Sequence, residues 1–117
     1  MDYSMLIGGR LVSGDNMLDV INPATEEPFA RVPRASRAQL DEAVAAATQA
    51  QKAWEATPMA DRRARVEALS AAIADNESAL ARLITLEQGK PLPEAVGEVQ
   101  WSVGYLAHTA TLQLPDR

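Results

Sequence analysis

Alanine sets the tightest limit on what this chain can build. Of its 117 residues 47% are apolar, yet 22 of those 55 apolar residues are alanine. The bulky core formers leucine, isoleucine, valine and phenylalanine number 25, about a fifth of the chain, which is near the level where an independent core is hard to close. A chain of this length is one domain or a piece of one. Its alanines suit helices that pack closely on each other or on something larger.

The hydrophobic pattern changes period once. Up to about residue 35 it reads as extended. Leu6-Ile7 and Leu11-Val12 flank a Gly8-Gly9 turn, and Ser13 to Asn16 make a second turn. Leu18 to Ile21 and Pro28 to Pro33 flank Asn22-Pro23-Ala24-Thr25, where proline fixes one dihedral and asparagine bonds the following backbone. A β-hairpin or small meander is expected over 1–35.

From Ser36 the period is helical, and about four α-helices are expected over 36–111. Ser36 and Gln39 have capping-box spacing. Leu40, Ala43, Val44, Ala47 and Trp54 then form a stripe expected to face a core. Thr57-Pro58 reads as a cap followed by proline at the first helical position, opening a helix with Val66, Leu69 and Ile73 on its apolar face. Asn76 is the expected cap of a third helix holding Leu80, Leu83 and Ile84, and Gly89-Lys90-Pro91 is its stop. Pro93 and Glu94 open a fourth helix. Val96, Val99, Val103 and Leu106 lie on one side of it and Trp101 and Tyr105 on another, a pattern that belongs in an interior. Leu112, Leu114 and Pro115 read as the approach to a further strand.

Charge and composition exclude several function classes. A net charge of −5 and no basic footprint argue against nucleic acid as a partner. The absence of a long apolar stretch and of a basic-then-apolar leader argues against membrane spans and secretion, so the chain reads as cytoplasmic. With no cysteine and one histidine there is no thiol nucleophile, zinc cluster or histidine-based triad.

The motif candidates are weak. A phosphate-binding loop needs glycine five positions before Gly89-Lys90 and a hydroxyl after it; Ile84 and Pro91 stand there. Gly8 and Gly9 make no dinucleotide fingerprint. Glu87 and Glu98 could converge across a helical corner for acid/base work, but Glu87 pairing with Lys90 on a solvated helix end is the plainer reading. His108, one turn beyond Tyr105, could contribute to an aromatic box, but with no second ligand near it in sequence a packed or surface histidine is the plainer reading. Arg62, Arg63 and Arg65 could bind an anion, but Asp61 and Glu67 among them point to a solvated face. No catalytic or cofactor-binding residue is assigned.

Four segments in this order resemble the N-terminal part of the aldehyde dehydrogenase superfamily. They are LIGGRLV, VINPATEEPFARVP, AQLDEAVAAATQAQKAWEATP and ARLITLEQGKPLPEAVGEV, and the resemblance as a whole runs from Leu6 to about Ala110. The wording ITLEQGKP is similar to the succinate-semialdehyde type. The resemblance implies an α/β fragment, the N-terminal part of a cofactor-binding domain, β-rich over 1–35 and helical over 36–111, with the catalytic domain absent. It implies a parent enzyme in which a cysteine thiolate attacks the aldehyde, hydride passes to NAD or NADP, and a glutamate activates the water that releases the acid. None of those groups lies in residues 1–117. The implied partners are the remainder of the parent enzyme and further copies of it, as a homo-oligomer; the aldehyde belongs to the parent alone. In some relatives a monovalent cation is held by main-chain carbonyls near the positions of Val20 and Ile21 and by an acid near Glu98, which makes Ile21 and Glu98 the candidate metal ligands. The rival reading is a stand-alone, non-catalytic helical interaction module derived from the same scaffold.

Overall fold

The computed structural model describes residues 3–113. It forms two compact units, Met1–Ala56 and Thr57–Arg117, each described by itself below. Leu114 and Pro115 lie outside the described residues.

The first unit holds two separate two-stranded antiparallel sheets and one helix. Strand β1 (Met5–Ile7) pairs with β2 (Arg10–Val12), placing Met5 opposite Val12 and Ile7 opposite Arg10. Both turn residues, Gly8 and Gly9, have positive φ, 56° and 78°. Glycine adopts that conformation without the Cβ clash that other residues meet. Strand β3 (Asn16–Asn22) pairs with β4 (Glu27–Arg34), with an irregularity between Val20 and Ile21. Two hairpins therefore form, and no meander joins them.

The turn between β3 and β4 is built by the asparagine that the sequence singles out. Asn22 Oδ1 accepts the Ala24 N–H at 2.9 Å, and the Asn22 carbonyl accepts from Thr25 and Glu26. Glu26 closes the turn at φ 59°, alone among the described non-glycine residues in taking a positive φ.

Helix α1 (Arg37–Ala56) starts on the expected capping box. Ser36 Oγ accepts the Gln39 N–H at 3.2 Å, and Gln39 Oε1 accepts the Ser36 N–H at 2.9 Å. The Gln39 amide also donates to the Ser13 carbonyl at 3.0 Å, tying the helix start to the strands. The α1 stripe does not face a core inside this unit: Leu40, Val44 and Trp54 are exposed, and no α1 residue is buried. Of the strands in this unit β1 is the one that packs on the helix, and its three residues span about 10 Å of a helix whose 20 residues run about 30 Å. The residues buried in this unit, Ile7 and Ala30, belong to the strands.

The second unit is a three-helix arrangement of α2 (Met59–Asp75), α3 (Glu77–Gln88) and α4 (Leu92–Thr111), with α4 packed on both others. Pro58, with ψ 144°, is itself the N-cap of α2 in place of Thr57, so the helix begins at Met59, one residue later than the Thr57-Pro58 pair suggests. The core is made of alanine and valine: Ala81 and Ala95 are fully buried and Val99 nearly so, with Ile73, Leu80, Ile84 and Val96 packed against them. Short side chains at the contact let helix axes approach to the lower end of the usual 8–10 Å range. Ser70 is also buried on the α2 stripe, and its hydroxyl donates to the Val103 carbonyl of α4 at 3.0 Å. Leu69, expected on the apolar face, is exposed instead.

Asn76 differs from expectation. It is the C-cap of α2 and the N-cap of α3 at once, and its side chain makes no N-cap bond. The amide instead donates to the Ala72 carbonyl at 2.8 Å. With one residue between the helices, the side chain serves the helix it has left, whose last carbonyls lack partners.

Candidate functional site

The residues with the richest chemistry gather at the corner between α3 and α4. Gly89 ends α3 in the left-handed region (φ 74°, ψ 12°), its N–H donating to the Thr85 carbonyl at 2.9 Å. This is the helix stop expected for that glycine. Pro91, with φ −53° and ψ 135°, caps α4, and its carbonyl accepts from both Glu94 and Ala95. Lys90, held between these two fixed residues, donates from Nζ to Glu98 Oε2 on the second turn of α4. The pair is partly shielded, with side-chain exposures of 30% and 43%.

A groove of about 410 Å³ opens beside this corner. Ile73, Leu80, Leu83, Ile84 and Val99 form its apolar wall, and Glu87, Glu98 and Ser102 its polar one. Glu87 and Glu98 do converge on one groove, but Lys90 bonds to Glu98 and not to Glu87. The Glu98 carboxylate is thus engaged by an ammonium. The groove is lined by no cysteine and no histidine, and its one hydroxyl, Ser102, donates to the Glu98 carbonyl at 2.9 Å with no base beside it, so its chemistry is that of an ion-paired helix corner.

The other candidates are spread apart. His108 is exposed near the end of α4, and Tyr105 stacks on Trp101, with centroids 5.3 Å apart and planes at 19°. That stacking uses Tyr105 without His108. Trp101 and Tyr105 are 69% and 59% exposed, so the aromatic side of α4 has no covering within its unit. Of the arginines, Arg65 is exposed, as a solvated face requires, but Arg62 and Arg63 are half-buried. Arg63 Nη2 donates to the Leu112 carbonyl at 2.6 Å, pinning the end of α4 to α2. Two residues that bind elements together, Ser70 and Arg63, were not marked as such by the sequence. Ser70 had a readable signal: it stands four residues after Val66 and three before Ile73, a polar residue on an apolar stripe.

Ile21 lies in β3 of the first unit and Glu98 in α4 of the second. Opposite Ile21 stands Pro28, which has no N–H to give the ladder, and the pairing shifts between Val20 and Ile21. Among the described residues no group of three or more histidine, aspartate or glutamate side chains is placed to hold a metal ion, and no helix is long and apolar enough to cross a membrane.

Comparison with known proteins gives this architecture its class. The aldehyde dehydrogenase family model matches residues 11–114, so the chain belongs to the aldehyde dehydrogenase family. It is similar to malonate-semialdehyde dehydrogenase 2 of Geobacillus kaustophilus, 45% identical across 94% of this chain and 25% of that protein. Among solved structures it is similar to lactaldehyde dehydrogenase from Escherichia coli, with TM-score 0.89 and 32% identity over 99% of this chain and 26% of that one. It is also similar to NADP-dependent glyceraldehyde-3-phosphate dehydrogenase from Bacillus halodurans C-125, with TM-score 0.91 and 25% identity over 94% of this chain and 24% of that one. The chain spans a quarter or less of the length of such curated relatives.

Proposed function

We propose that this chain is the N-terminal segment of an NAD(P)-dependent aldehyde dehydrogenase and that its part there is architectural. The observation that carries the reading is a family match running from residue 11 to residue 114 on a chain without cysteine. Aldehyde oxidation by a covalent route needs an activated thiolate or an equivalent nucleophile, so the reacting group comes from polypeptide outside these residues. The dinucleotide is held elsewhere too. Gly8 and Gly9 are spent on a hairpin turn and Gly89 on a helix stop, and neither is a glycine-rich loop between a strand and a helix.

The substrate in this reading is an aldehyde. Semialdehydes, which carry a carboxyl group at the far end, are the favoured class, supported by the Geobacillus relative's name and by the ITLEQGKP segment. The parent works in the cytoplasm as a homo-oligomer, and its remaining polypeptide is the partner of the faces left open here.

Reading the gene past Arg117, followed by assay of the encoded polypeptide with NAD and NADP, tests this directly. An open frame carrying a cysteine, with dinucleotide reduction dependent on malonate or succinate semialdehyde, is the expected result. A stop codon directly after Arg117 would overturn it and favour the stand-alone interaction module.

Within the same reading the Glu98 carboxylate is a proposed ligand of a monovalent cation and, taken by itself in the other unit, so is the Ile21 carbonyl beside that of Val20. Glu98 as it stands fits such an ion poorly, because Lys90 already supplies a positive charge to it. Melting of the unaltered parent enzyme should rise in potassium or sodium chloride relative to choline chloride and lose that rise with Glu98→Gln; equal melting in all three salts removes the site.

A further inference from the structure

We draw no further inference here: the strongest candidate, the exposed face of α4 bearing the stacked Trp101 and Tyr105 with Gly97 and Gly104 beside them, is an unpartnered apolar face, and nothing in the structure shows what covers it.

Discussion

Two backbone positions show how much a single side chain decides in this chain. At Glu26 a residue with a Cβ occupies the left-handed region, where the clash with the neighbouring carbonyl costs roughly 1–2 kcal/mol. Its local support is the turn's own bonding, the Glu26 N–H to the Asn22 carbonyl at 2.8 Å. Glu26→Gly removes the clash but frees the unfolded chain. The net expectation is a gain of about 0.5–1 kcal/mol, seen as a higher urea midpoint with unchanged slope; a lower midpoint contradicts the strain. Gly89 is the converse case, with glycine already where φ is 74°. Gly89→Val should cost at least about 1–2 kcal/mol, since a β-branched residue is the least suited to that region. In the parent enzyme it should lower activity through loss of folded protein. A large fall in turnover with unchanged melting temperature would contradict this.

At the level of elements, several caps and turns whose bonded partners lie within four residues are legible in the sequence. The Ser36–Gln39 box, the Gly8-Gly9 turn, the Asn22 turn and the Gly89 stop all formed as the residues dictate. Two kinds of feature were not legible. Asn76 looks like a cap in sequence, but whether a cap residue serves the helix before it or after it depends on the length of the connection, here a single residue. The pairing of Lys90 with Glu98, and not Glu87, depends on how Gly89 and Pro91 aim the corner. Both acids lie within reach in sequence. Apolar stripes are legible in the residues, but whether a stripe is buried depends on a facing surface. Leu40 and Val44 have none in their own unit, while Val99 meets Ala81 and Ala95. One helix interior offers a clean test. A Cβ added at Gly104 of α4 would meet no atom within 4 Å, so Gly104→Ala should stabilise the chain by about 0.5–1 kcal/mol through helix propensity alone. Thermal unfolding followed by circular dichroism checks it; a loss of stability would mean the glycine is needed.

Across the whole molecule the balance of buried and exposed apolar surface is inverted from that of a self-sufficient domain. Among the described residues no large side chain is fully buried, whereas Leu6, Leu11, Leu40, Val44 and Trp101 are each more than half exposed. Large apolar side chains left open in this way offer surface that association can cover. The 117-residue chain is therefore expected to self-associate at micromolar concentration; sedimentation showing only a compact 12.6 kDa species would count against this. The alanine core described above also determines how the sequence can vary. Ala81 and Ala95 are fully buried, and enlarging a residue in such a contact costs typically about 1–3 kcal/mol in displaced neighbours. Growth is thus closed to the inside, and the positions with latitude in the chain by itself are the large apolar residues facing outward. A lineage that kept this segment without the rest of an enzyme would drift toward polar residues at Leu40, Val44 and Trp101 while holding its alanines.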